Sequence, residues 1–184
     1  MPQRGSAAHG AVIEFWSQAG RERWFGKDEA FDRLFRERFL DQHMAVAARR
    51  HDDWLDSPEG ALALLILTDQ FPRNAFRGTA HMYATDPLAR HYARRALQRG
   101  HLGRIPPDLR VFMCLPFMHS EDLADQELCV DLVRTFTSDS TLDYAIDHRD
   151  IIQRFGRFPH RNPKLGRETT PEEEAFLAAG GFAG

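Results

Sequence analysis

Three stretches of this 184-residue chain mix arginine, histidine and carboxylate side chains with proline and phenylalanine at spacings that can do chemistry. The first, Asp69–Ala80, reads DQFPRNAFRGTA. Asp69 falls one helical turn beyond Leu62, Leu65 and Ile66, on what must be a buried face. An isolated buried charge is very costly, so Asp69 needs a partner, and Arg73 and Arg77 are the nearest candidates. Either these groups lock a helix-to-turn junction, or the arginines face a cleft and hold an anion. The second stretch, Leu115–Glu127, reads LPFMHSEDLADQE. Ser120 as a helix cap, with Glu121 and Asp122 in the first turn, suits the helix dipole and leaves His119 without a structural duty. The third, His148–Asn162, places Arg149, Arg154, Arg157, His160, Arg161 and Asn162 within fourteen residues, beside Phe155, Phe158 and Pro159. His148 shares a helical face with Ile151, Ile152 and Phe155, which points to a half-buried, hydrogen-bonded imidazole.

Several better-known chemistries are excluded by what is missing. His119 and Glu121 make a His-x-Glu pair, but no Pro-Cys-x-x-Cys follows, so a zinc deaminase is ruled out. His148-Arg149-Asp150 imitates a kinase catalytic loop, yet Phe155 stands where asparagine is needed and there is no glycine-rich phosphate loop. His51-Asp52 occurs in some all-α phosphohydrolases, but here it lies outside the three stretches and reads as a solvated helix end. No metal site and no cofactor are expected.

The net charge of −3 argues against a nucleic-acid partner, which usually demands a basic face. The longest apolar run, Ala61–Leu67, is far short of the roughly 20 residues that span a membrane. The N-terminal residues lack the apolar core of a secretory signal. Cys114 and Cys129 sit in apolar helical settings and read as reduced core thiols of a cytoplasmic protein. Lys27 and Lys164 are the only lysines against 22 arginines, a bias that suits either GC-rich coding or bidentate anion recognition.

The elements that must position these groups are all helical. Val12–Ala19 has helical spacing and gives way to a loop over Gly20–Gly26. Asp28 caps a helix with Phe31, Leu34, Phe35 and Phe39 on one stripe. Ser57-Pro58 opens a helix apolar on nearly every face, hence central, which Pro72 is expected to stop. Asp86-Pro87 and Pro106-Pro107-Asp108 open two more, the second reaching Pro116. Ser120 caps another, and a further helix runs from about Ser140 to Gly156. Thr170-Pro171-Glu172-Glu173 is a capping box. The reading is a single all-α domain over residues 11–184, about eight helices packed as antiparallel hairpins, after a disordered tail over residues 1–10.

The strings VIEFW, WFGKDEAFDRLFRERF, LTDQFPRNAFRGTA, LPFMHSEDLADQE and HRDIIQRFGRFPHRNPKLGRETTPEEEAFL resemble the bacterial family catalogued as domain of unknown function 924. The likeness covers roughly Val12 to Leu177. It implies an all-α, TPR-like fold and carries no catalytic residue, cofactor or activity. The matching motif positions are Asp69, Phe71–Asn74, Arg77, His119–Glu121, His148–Asp150 and Phe158–Asn162.

Three functional readings follow. In the first, a helical binding module uses a cleft lined by Arg73, Asn74, Arg77, His119, His148, Arg149, Arg157, His160, Arg161 and Asn162 to hold a small anionic metabolite or an acidic peptide. In the second, a metal-independent hydrolase of a phosphate or acyl compound uses His119 or His148 as general base, with Glu121 or Asp122 orienting it. In the third, Asp69, Glu121, Asp122 and Asp150 close a purely structural ion-pair network with the arginines. The sequence sets no oligomeric state.

Overall fold

The computed structural model describes residues 4–184. Among these residues there is no strand, and the all-α reading holds. The helices are α1 (Arg4–Phe25), α2 (Glu29–Ala47), α3 (Pro58–Leu65), α4 (Phe71–Ala75), α5 (Asp86–Gln98), α6 (Val111–Met118), α7 (Leu123–Phe136), α8 (Asp139–Phe155), α9 (Asn162–Leu165) and α10 (Pro171–Ala178). Where a disordered tail was expected over residues 1–10, the chain is helical from Arg4. Met1–Gln3 lie outside the described residues. Ala8 and Ala11 pack on the core and His9 meets Trp54 edge-on, contacts that order this end.

The central position of α3 follows from its composition. Every residue of Ala61–Leu67 is buried, and α3 packs against α1, α5 and α6. Around it sits an aromatic cluster in which Trp16 meets Phe35 and Phe112 at ring separations of 5.3 Å. Phe35 in turn meets Phe71 at 5.0 Å. Burying each such side chain is worth about 1.5–3 kcal/mol, so this cluster is the frame on which the polar groups are hung. The hairpin α7–α8 leans on α6 through α7. A smaller cluster of Ile151, Ile152 and Phe158, with Phe155 and Phe176 against it, joins the end of α8 to α10.

Two expected breaks are bridged instead. At Gly20 the backbone takes φ 73° and ψ 171°, a conformation that glycine alone adopts easily, and α1 bends there rather than ending in a loop. Past the bend, the Trp24 indole N–H donates to the Trp16 carbonyl at 2.6 Å and holds the two segments together.

At Pro72 the rod also continues. α3 passes into α4 through a π-helical turn over Ile66–Gln70, in which the Phe71 N–H reaches back to the Ile66 carbonyl. Proline has no N–H, so the carbonyls one turn earlier lose their donor. Side chains replace it. The His43 Nδ1–H donates to Leu67 O at 2.9 Å, the Thr85 hydroxyl to Thr68 O at 2.6 Å, and Arg73 to Asp69 O at 2.8 Å. Pro116 is likewise carried inside α6, which runs on to Met118.

Asp28 and Ser57 cap α2 and α3, and Thr170 with Glu173 forms the capping box of α10. Two other expected caps have different duties. Asp86 makes no cap bond, and Thr85 occupies the cap position of α5. The cap of α7 is Asp122, which accepts from the Ala124 N–H at 2.9 Å, while Ser120 lies ahead of the helix.

Candidate functional site

The π-helical turn decides where Asp69 points. Widening the helix by one residue places its carboxylate, 1% exposed, toward the end of α6 instead of along the face shared with Leu62 and Leu65. Such turns inside α-helices occur frequently at functional sites. There Asp69 accepts a 2.7 Å hydrogen bond from His119 Nδ1–H and a 2.6 Å bond from the Gln70 amide, with Arg73 at 3.3 Å. Arg73 also forks onto Asp86 at 2.8 and 2.9 Å.

Arg161 completes the group. It donates to the His119 carbonyl at 2.9 Å and stands 3.5 Å from Asp86. Its guanidinium lies 4.6 Å from the Tyr83 ring centre and 4.5 Å from that of Phe158. Segments far apart in sequence therefore meet at one point: Asp69 and Arg73, Asp86, His119, and Arg161.

The electrostatics settle the protonation states. Burial would raise the Asp69 pKa, but His119 and Arg73 beside it overcome that and hold the carboxyl well below the usual range. Burial lowers the pKa of His119, and the Arg73 charge lowers it further, outweighing the pull of Asp69. At neutral pH the pair is carboxylate and neutral imidazole. With Nδ1–H given to Asp69, the lone pair is on Nε2. His119 borders a cleft of about 680 Å³ whose other walls include Tyr83, Asp86, Arg90, Glu121, Asp122 and Arg161. Arg161 is 6% exposed, its Nε has no partner, and burial with the neighbouring Arg73 lowers its pKa. Asp86, the carboxylate 3.5 Å from it, is already bound by Arg73.

The remaining predicted residues distribute as follows. Glu121 does join the cleft, where Arg167 forks onto it at 2.7 and 2.9 Å and the Phe158 N–H donates at 2.8 Å. It does not touch His119's ring nitrogens and so does not orient that ring; Asp69 does. Asp122 is a cap and no part of an ion-pair network. Asn74 and Arg77 form a separate station on α2, both bonded to Asp32 at 2.7 Å. Arg149 and Asp150 pair only with each other on the outside of α8, away from the cluster, because their helical positions face opposite the Ile151–Ile152 stripe. Arg157 and Asn162 both reach Glu173, tying the third stretch to α10.

His148 is buried with Nδ1–H on the Tyr144 carbonyl at 2.7 Å. Phe182 lies over both His148 and His160, at ring separations of 4.5 and 5.1 Å. His51 stacks on Trp54, and Asp52 is held by Arg49 and Tyr92.

Sequence reasoning missed Asp86, Tyr83, Arg90, Arg94 and Arg167. Asp86 looked fully explained by the proline after it, so no signal remained for a second duty. Arg90 and Arg94 lie one turn apart on α5 and share a single carboxylate, Asp125, which also accepts from Ser120 at 2.8 Å. That helical spacing was a readable signal. Among the described residues no three His, Cys, Asp or Glu side chains are grouped to hold a metal ion. Cys114 and Cys129 are free and buried, and burial pushes the Cys114 thiol up to about 12, so neither is a nucleophile at neutral pH.

No functionally curated protein matches the chain. A solved protein of unknown function from Agrobacterium tumefaciens is similar at 53% identity, with a TM-score of 0.92 over 95% of this chain and 98% of that one. The cluster of Asp69, Arg73, His119 and Arg161 falls within residues 12–181, the span matched by the model of a bacterial family of unknown function, DUF924, and the chain belongs to that family.

Proposed function

We propose that the cleft is an acid–base site acting on a small anionic phosphate or acyl compound, with His119 as general base and Asp69 as its positioning residue. One observation carries this reading: a buried carboxylate takes the Nδ1–H of His119, a residue that lines an open cleft, and leaves its basic Nε2 without a protein partner. That is the arrangement by which a carboxylate fixes an imidazole tautomer and steadies the imidazolium formed when the ring takes a proton. In hydrolysis, Nε2 takes a proton from water as its oxygen bonds to the acyl carbon or phosphorus. The bond to the leaving group breaks, and the imidazolium returns the proton to that group. Water is the fitting nucleophile because the Ser120 hydroxyl is already donated to Asp125.

Arg161 supplies positive charge beside the reacting centre. Arg90 and Arg94, two cations on one carboxylate, leave one positive charge unmatched by Asp125, and Arg90 lines the cleft. This unmatched charge also supports the simpler reading of a module that binds an anionic metabolite or acidic peptide without reaction. Arg73, Arg77, Arg149 and Arg157 contribute little to either, since each is already paired. We also place the protein in the cytoplasm, on the strength of two unpaired thiols, and read its hairpin packing as TPR-like. No helix is long and apolar enough to cross a membrane.

The test is a screen of p-nitrophenyl esters and phosphates against the parent and His119→Asn. The expected result is turnover by the parent, with kcat/KM falling about 10²–10⁴-fold in the variant while its melting temperature stays close to the parent's. Equal rates in the two proteins would remove His119 from the chemistry.

A further inference from the structure

His119 borders a second cavity as well as the polar cleft. This pocket of about 420 Å³ is walled by Phe25, Val111, Leu115, Met118, Tyr144 and Phe182, and His148 also lines it. It is of a size and apolarity usual for small-ligand sites. Met118 and Ser120, the neighbours of His119 in the chain, line the apolar and polar cavities respectively. His119 is therefore common to the walls of both, a space with Arg90 and Arg161 on one side and a space lined mostly by apolar side chains on the other.

We infer that the ligand of this site is a small amphipathic acid, its anionic head in the cleft beside Arg161 and Arg90 and its alkyl or aryl part in the pocket beyond His119. The inference rests on the functional reading of the cleft and adds the class of molecule it takes. Three features support it. Phe25 and Tyr144 are 54% and 62% exposed at the pocket, large apolar surface that an apolar group would cover. His148 offers no charge to an anion there, since burial first and then the His119 and Arg161 charges push its pKa down to about 4. The other polar wall groups are Ser140, Thr141 and Arg21, the last an exposed cation lying 5.8 Å from the centre of the Phe25 ring.

The experiment is calorimetric titration of the full chain with acetate, butyrate, hexanoate and octanoate, with octan-1-ol as the uncharged control. The affinity is expected to rise along the acid series by up to about fourfold per methylene, with octan-1-ol binding at least tenfold more weakly than octanoate. Arg161→Gln should weaken every acid, whereas Arg21→Gln should leave the series unchanged. Thr141→Trp, at a partly exposed position in the pocket wall, should abolish the dependence on length and spare acetate. Acids that all bind equally would overturn the inference and leave the polar cleft as a site for small anions. Binding weakened by Arg21→Gln instead of Arg161→Gln, or octan-1-ol equal to octanoate, would overturn it as well. If no acid binds, the inference falls, whereas the functional reading of the cleft stands or falls separately on turnover of the p-nitrophenyl esters and phosphates.

Discussion

Asp69→Ala is expected to destabilise the protein by about 3–5 kcal/mol, the usual cost of removing one partner from a buried ion pair. The carboxylate is 1% exposed and is contacted by His119, Gln70 and Arg73. Without it, Arg73 keeps only Asp86, the Gln70 amide loses its acceptor, and the ring of His119 loses the bond that fixes its orientation. For a domain of this length the loss corresponds to a fall in Tm on the order of 6–20 °C, measurable by calorimetry. Asp150→Ala serves as the internal comparison. Asp150 is exposed and pairs only with the adjacent Arg149, so its removal should shift stability by less than about 0.5 kcal/mol. Similar effects from the two substitutions would deny that the cluster under His119 is held more tightly than the surface of α8.

Acid should unfold the protein through its buried histidines. Burial, followed by the charges of His119 and Arg161, lowers the His148 pKa to about 4. Burial, followed by Arg161 and Lys164, lowers that of His160 to about 3. In the unfolded chain both titrate near 6.5, so below that pH the unfolded state binds more protons and stability rises with pH. The stabilisation from each neutral imidazole is complete above about pH 6.5 and declines as pH falls toward the folded-state values. Between pH 7 and 5 each group should contribute a loss of about 2 kcal/mol, at up to 1.4 kcal/mol per pH unit. Asp69, held below the usual carboxylate range, adds a further loss only below about pH 4. Urea unfolding at pH 7 and pH 5 measures this, and His148→Gln should remove that residue's share, about 2 kcal/mol, of the difference. A parent whose stability is the same at both pH values would show that these rings are not held neutral.

How much of this was legible in the sequence depends on the physics that places each group. The all-α fold was legible because helical spacing and caps are local signals, and Asp28, Ser57 and the Thr170–Glu173 box behave as their spacing says. The path through Pro72 was not. The donor that proline lacks is replaced by His43, Thr85 and Arg73, and two of these lie in other elements. The need of Asp69 for a partner was legible from its buried face, and Arg73 is indeed adjacent. Its closest ring partner, His119, is fifty residues away and owes its place to the packing of α6 on the central rod. Asp86 and Ser120 show the opposite failure: a local role sufficed to explain each residue, and tertiary contacts gave it another. Density of like residues was a poor guide, since Arg149 and Asp150 belong to the most charged stretch yet stand apart from the cluster.

The most direct measurement of the central claim is the tautomer and titration of His119 by long-range ¹H–¹⁵N NMR, assigned with His119→Asn. The expected spectrum at pH 7 is that of a neutral ring protonated on Nδ1, with Nε2 showing the shift of an unprotonated nitrogen and the ring titrating below 6.5. In Asp69→Asn that tautomer preference should be lost. A charged imidazolium at pH 7, or a neutral ring carrying its proton on Nε2, would contradict the account, because Nε2 would then have no lone pair with which to take a proton.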